Sequence, residues 1–435
     1  MPEDGAALPR QLGLRDLVFF NISATISFRW LAVAAHNGPG SLTLWAAGAA
    51  FFFVPLALVV ARLTERFPNE GGMYVWTREA FGDGHGFLCG WAYWLANFIY
   101  FPSLMLFAAA MVLGESGAPV FALGLAVFWG ASLALMVSPS AVRWIAAAGG
   151  AATYLSAALL LVLAAAAAWR QYSGTEFHLL PSLALAKLAL WPQLAFGFQG
   201  IELGAVLAGE IRDPRRTIAR AAWLAGLAIA AFYIAGTAAV LGVLRPEQIS
   251  PVSGLSQIAA AIGQTLQAPL LGTALLWLML AALFGQLCSW ILGNSRLPFV
   301  IGLDRYLPPV FGELHPRFRT PWVSLLTQAA GGTLLALALS AGETLRGTYY
   351  LLVDMTALLV FLPFLYMFAS GWRFGVRWPA ACGLAVTSLA IALSLVPPPE
   401  TRAVWLFETK LLGGCAAVLL AGYLNYRYAR SLPAR

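Results

Sequence analysis

Residues 195–204 read AFGFQGIELG and residues 21–30 read NISATISFRW, each inside an apolar run long enough to cross a bilayer. In the first quoted stretch, Gly197 and Gly200 flank Gln199, and a carboxylate, Glu202, follows. In the other, Ser23, Ala24, Thr25 and Ser27 place small and hydroxyl side chains at mid-membrane depth, with Arg29 close behind. Glycine weakens a helix, and polar or broken backbone is tolerated at that depth only where it is buried in protein or lines a cavity. Small-residue helix packing would explain either stretch alone. The two runs are, however, the first and sixth of a series. Paired interruptions in corresponding halves point to a transporter built from inverted repeats.

The rest of the chain supports a membrane reading. Of its 435 residues, 60% are hydrophobic and 10% charged, against roughly 45–50% and 25% in soluble domains. Apolar runs between charged or Pro/Gly-rich gaps predict twelve helices, near 16–36, 42–62, 86–113, 119–138, 144–169, 189–209, 217–244, 269–296, 321–341, 347–370, 376–396 and 404–427. The class is all-α, a single transmembrane domain over residues 1–435, with repeats over 16–169 and 189–370 and two extra helices over 376–427. Soluble multidomain enzymes are excluded. Of 26 Lys and Arg, six (Arg170, Lys187, Arg245, Arg346, Arg402 and Lys410) fall in one set of loops, Arg29 lies within a span, and 19 fall on the other side. The positive-inside rule makes that second side, and both termini, cytoplasmic. The same rule accounts for the basic segment 211–220 and leaves no reason to invoke nucleic acid.

Cys89, Cys288, Cys382 and Cys415 are spread through apolar stretches, and His36, His85, His178 and His315 through loops and helix ends. Neither set has metal-ligand or disulfide spacing, so no metal or cofactor is expected. The N-terminal segment lacks a cleavage-site pattern and is expected to be retained. At the two interruptions, free N–H groups beside the first suit an anionic group, and free carbonyls beside the sixth suit a cationic one. A ligand carrying both charges close together is an α-amino acid.

Three stretches and one dipeptide then resemble a known family. FPNEGGMYVWTREAFGDGHGFLCGW (67–91) is similar to the family's loop after helix two, and AFGFQGIELGAVLAGEIRDPRRTIARA (195–221) to its helix six and following loop. NSRLPFVIGLDRYLPPVFGELHPRFRTP (294–321) resembles the loop after helix eight, and Gly38-Pro39 fits the end of helix one. Together they resemble the amino acid-polyamine-organocation permeases, which implies the LeuT-type fold of five plus five inverted helices and two further ones. There are departures. SATIS replaces the glycine-rich break usual in helix one, span 144–169 has no lysine of the kind linked to proton coupling in some relatives, and GLDRYLP replaces the commoner Ala-Arg-Asp-Gly form.

Three ionisable side chains lie well inside spans, Arg29, Glu202 and Asp354. Such residues usually face the bundle interior for a functional or pairing reason. Arg29 precedes His36 by seven residues and Asp354 follows Arg346 by eight, roughly 10 and 12 Å below the outer surface at 1.5 Å per residue. With the resemblance, whose sodium-symporter branch has an Arg and an Asp at similar places, this makes Arg29 and Asp354 a candidate outer gate. A permanent ion pair, or Asp354 contacting a cationic substrate, are the rival readings. Glu202 is the candidate proton-coupling residue, with a structural brace for the broken helix as its rival. The expected substrate contacts are Ser23, Ala24, Thr25, Ile26, Phe196, Gly197, Phe198 and Gly200 at the breaks, and Asn97, Phe101, Trp290 and Thr356 on neighbouring spans.

The expected function is secondary transport of an amino acid or related amine across the plasma membrane, by alternating access, with protons or by exchange. A polyamine transporter and an amino acid-binding membrane sensor without net transport are the alternatives. Partners are the small-molecule substrate, protons and the lipid bilayer. No catalytic constellation and no Gly-rich phosphate-cradling motif is found, so an enzyme is not expected.

Overall fold

The computed structural model describes residues 12–431, apart from 69–70, 115–116, 138, 183–187, 189–190, 207, 305, 319, 342–344 and 398–403. Lys187 and Arg402, used above for orientation, lie outside the described residues. Its helices are α1 (Leu14–Thr25), α2 (Arg29–Asn37), α3 (Gly40–Arg66), α4 (Met73–Phe81), α5 (Asp83–Leu113), α6 (Gly117–Val137), α7 (Pro139–Arg170), α8 (Trp191–Phe196) and α9 (Leu203–Val206). They continue with α10 (Pro214–Val243), α11 (Gly254–Thr265), α12 (Pro269–Leu303), α13 (Trp322–Ser340), α14 (Leu345–Arg373), α15 (Arg377–Ser394) and α16 (Val404–Ser431).

Ten of these helices are long and apolar enough to cross a membrane, and α1 with α2, bent by 51° across their break, brings the number to 11. The chain is a multi-pass helical membrane protein. Ten of the twelve predicted runs coincide with long helices, and the run 16–36 with the bent pair. The run 189–209 differs. Among its described residues it holds only the short helices α8 and α9, with turns over 197–202 between them. The eighth run also extends further than its apolar stretch predicts, because α12 continues through Pro298 to Leu303. Two further helices, α4 and α11, are too short and polar to register as spans.

Helices α5, α10 and α12 supply the side chains that bond to the breaks. Over four-fifths of the most apolar window of α5 is buried, and more than half of those of α10 and α12. In contrast, α16 is mostly exposed, as expected of a peripheral helix facing lipid. The α7–α12 crossing depends on glycine: a Cβ added to Gly285 would fall 2.3 Å from the Gly149 Cα. Backbones that close pack through small residues, which matter most where no hydrophobic effect drives helices together.

Candidate functional site: two apposed helix breaks

At the first break, helix α1 ends at Thr25 and the chain is extended at Ile26. The carbonyls released there do not stay free. The Gln286 amide donates to Ala24 O at 2.9 Å and Ile26 O at 3.1 Å, and the Trp290 indole donates to Ala24 O at 2.7 Å. The Tyr233 hydroxyl donates to Thr25 O at 2.9 Å and accepts from the Ser27 amide at 3.1 Å. Three side chains from α10 and α12 therefore hold the interruption open. A buried backbone carbonyl without a partner is costly; these donors remove that cost. The Trp30 and Leu31 amides return to the Ser27 and Phe28 carbonyls, which leaves the Phe28 and Arg29 amides at the open start of α2 outside these bonds.

At the second break the brace is local. Glu202 accepts the Gly200 amide at 2.9 Å on one carboxylate oxygen and the Tyr93 hydroxyl at 2.9 Å on the other. Turn bonds occupy the carbonyls of Leu194, Ala195, Phe196, Gly200 and Glu202. Those of Gly197, Phe198, Gln199 and Ile201 lie outside these bonds, on the side of the break where a cationic group is expected to bind.

The two breaks touch. Gly200 has φ +119°, a conformation that side-chain-bearing residues rarely adopt, and a Cβ there would fall 2.6 Å from Thr25 Oγ1 and 3.4 Å from the Trp290 ring. Around this contact, polar side-chain atoms accumulate without hydrogen-bond partners among the described residues: Asn21 Nδ2 and Oδ1, the hydroxyls of Ser23, Thr25 and Ser27, Arg29 Nε and Nη1, and Gln199 Oε1. All six residues are buried. Buried polar groups are normally paired, so such a concentration marks a place where a polar ligand can supply the missing partners.

Aromatic rings close one side of this region. Phe196 packs edge-on to Trp30 at 5.6 Å and lies 6.1 Å from Tyr100, which is 5.6 Å from Trp290. The Arg29 guanidinium sits over the Trp30 ring at 4.2 Å and the Tyr100 ring at 4.9 Å. Asp354 is buried on α14, and the Tyr349 hydroxyl lies in the electrostatic field of both Arg29 and Asp354.

The structure thus brings together Ala24, Thr25, Ile26, Phe196, Gly200, Glu202 and Trp290 of the expected residues, whereas Gly197 faces the Trp45 ring and Ser23 lies against Gly150 of α7. Four others point elsewhere. Phe198 packs against Trp45, Phe53 and Tyr233. Phe101 stacks toward Phe128 of α6. The Thr356 hydroxyl donates back to Leu352 O. Asn97 joins Asn294 at 3.2 Å, and Asn294 joins Gln328 at 2.9 Å, so that α5, α12 and α13 share a polar crosslink. Sequence reasoning missed Tyr93, Tyr233 and Gln286. A glutamine within an apolar span was the available signal for Gln286, since intramembrane polar residues need a partner.

A second polar cluster lies where α4 meets the end of α12. The Arg78 guanidinium meets Asp304 at 2.6 Å and the Tyr74 hydroxyl donates to the same oxygen at 2.5 Å, tying α4 to the end of α12. Burial, then the Asp304 carboxylate, hold the Tyr74 hydroxyl above its ordinary range. Desolvation alone would lower Arg78, but Asp304 and Tyr74 outweigh it and raise the guanidinium. Every member of this cluster is satisfied.

The sequence pattern of the amino acid permease family matches residues 12–404, and the chain belongs to that family. It is similar to an uncharacterised transporter of Legionella pneumophila, at 28% identity over 96% of each chain. It is also similar to the serine/threonine exchanger SteT of Bacillus subtilis, at 24% identity over 70% of each chain. A third relative is the polyamine transporter RMV1 of Arabidopsis thaliana, 26% identical over 79% of this chain and 69% of the relative. The chain is an amino acid or amine permease of the amino acid-polyamine-organocation superfamily, not an enzyme.

Proposed function

We propose that this permease is a secondary active transporter of an amino acid or closely related amine, working by alternating access in the plasma membrane with both termini cytoplasmic. In this reading α8 and α9 are the halves of one discontinuous sixth span, so that twelve spans form five-plus-five inverted repeats followed by α15 and α16. The observation that carries it is the contact between the breaks, Gly200 against Thr25, surrounded by unpartnered buried polar atoms. The substrate carboxylate is assigned to the start of α2 and to the hydroxyls of Ser23, Thr25 and Ser27, and the ammonium group to the free carbonyls before Gly200. Phe196 and Trp290 enclose the side chain, and Asn97, Phe101, Phe198 and Thr356, engaged elsewhere, are left out of the pocket.

Arg29 and Asp354 are the proposed outer gate, with Tyr349 between them electrostatically. Glu202 is the proposed proton-coupling group: its carboxylate joins Tyr93 of α5 to Gly200 of the second break, so protonation would weaken the brace at the substrate site itself. Against sodium coupling, the carbonyls at the first break are already occupied by Gln286, Trp290 and Tyr233, and the Ser289 hydroxyl donates to Gly285 O. The polyamine-transporting relative and the buried Asp354 favour a cationic amine as the second reading.

The test is a thermal-shift screen of the purified protein against amino acids and polyamines, followed by uptake of any stabilising compound into proteoliposomes with and without a pH gradient. Uptake driven by the gradient, lost in Glu202→Gln while exchange persists, is the expected result. Gradient-driven uptake that survives Glu202→Gln overturns its coupling role. Binding without flux in either direction would identify a membrane sensor instead.

A further inference from the structure

Outside the substrate site, a cleft of about 590 Å³ opens where the end of α3 meets the turn between α14 and α15. Its walls carry Arg62, Arg66 and Arg377, with Glu65 as the opposing charge, and its floor includes Phe374. Glu65 pairs with Arg62 at 3.0 Å, which leaves the cleft with a net positive charge. The Arg66 guanidinium carbon lies over two aromatic rings, 4.6 Å from the Phe374 ring centre and 5.6 Å from that of Phe67. A guanidinium stacked in this way keeps its in-plane N–H groups available for bidentate bonding to an oxyanion.

Two independent features point the same way. Helix α15 starts at Arg377 among the cleft's lining residues, which puts the positive end of its dipole at the cleft. Trp378 on the cleft and Trp372 beside it are exposed, at 65% and 50%, as expected of aromatic side chains at a membrane–water boundary. Under the orientation proposed above, the cleft lies at the cytoplasmic leaflet, where anionic phospholipids concentrate. Soluble phosphate would use the arginines but not the exposed tryptophans or the apolar floor.

We propose that this cleft is a binding site for the phosphate of an anionic phospholipid headgroup of the inner leaflet. Arg66 and Arg377 hold the phosphate, and Trp378 and Phe374 pack against the glycerol and upper acyl chains. The site is more than 300 residues apart in sequence across its two walls, so an occupying lipid crosslinks α3 to α14 and α15.

The proposal rests on the proposed orientation, but its readout needs neither substrate nor flux and so fails separately from the transport reading. The full-length protein in detergent is titrated with phosphatidylglycerol, phosphatidylcholine or inorganic phosphate, and thermal unfolding is followed. A saturable rise with phosphatidylglycerol alone is expected, with apparent affinity weakened at least about tenfold in Arg66→Gln/Arg377→Gln. The pair Arg215→Gln/Arg216→Gln, exposed on the same side away from the cleft, should leave that affinity unchanged. If the glutamine pair does not fold, Arg66→Lys/Arg377→Lys should still weaken binding, because lysine cannot form the bidentate contact. Unchanged affinity in the cleft variants, or equal loss in the Arg215/Arg216 pair, overturns the site. An equal rise with inorganic phosphate identifies a free-anion site and overturns the lipid assignment.

Discussion

The two helix breaks are held open by opposite means. At the first, donors from α10 and α12 satisfy the carbonyls of Ala24, Thr25 and Ile26. At the second, Glu202 bonds its own neighbour Gly200 and, among the described residues, Tyr93 from outside. The first break is therefore shaped by neutral groups on a rigid scaffold that does not titrate. The second is shaped by a carboxylate whose bonding changes when it takes up a proton. Under the proposed reading, one half of the site is a fixed template and the other the adjustable part. Both differ from the cluster of Tyr74, Arg78 and Asp304 between α4 and the end of α12, where all charges are paired and no ligand is needed to complete the bonding.

Substitutions can break this comparison at graded cost. Gly200→Ala should have the largest effect, because it imposes both a strained φ and a clash with Thr25; a loss of about 3 kcal/mol and of transport is expected, read by thermal unfolding and uptake. Retained uptake would mean that the breaks do not need to touch. Gln286→Leu removes the donor to Ala24 O and Ile26 O. It should cost about 2 kcal/mol and reduce uptake equally at every pH, since the fixed template carries no titrating group. A change in pH dependence would erase the distinction between the halves. Asp304→Asn should be smallest, about 1 kcal/mol, because Arg78 and Asp304 are partly exposed. Its expected signature is faster labelling from the cytoplasmic side with substrate affinity unchanged.

Much of this was legible in the sequence. Apolar runs fixed the long helices to within a few residues at most ends, since a helix that must satisfy its backbone inside lipid leaves a long uninterrupted pattern. The breaks were legible because Gly197, Gly200 and Glu202 cluster within one run, and because SATIS carries hydroxyls where a lipid-facing helix would not. What holds the breaks was not legible. Tyr233 bonds residues more than 200 positions away, Gln286 more than 250, and Tyr93 about 109, and no local pattern encodes such pairings. The expected orientation of Phe198 and Phe101 met the same limit. Adjacent residues on a helix or turn face different neighbours, and only the packed structure assigns Phe196 to the Tyr100 side and Phe198 to Trp45.

The most direct test of the central claim, that the apposed breaks bind the substrate, is protection of a thiol placed between them. Cys382 and Cys415, the two native cysteines that are not fully buried, are first replaced by alanine, and Thr25→Cys, at the residue that meets Gly200, is then introduced. The account predicts that a transported substrate slows labelling of this thiol by a membrane-permeant reagent in proportion to its occupancy. Labelling that is unchanged at saturating substrate, in a variant that still transports, would place the binding site elsewhere and contradict the account.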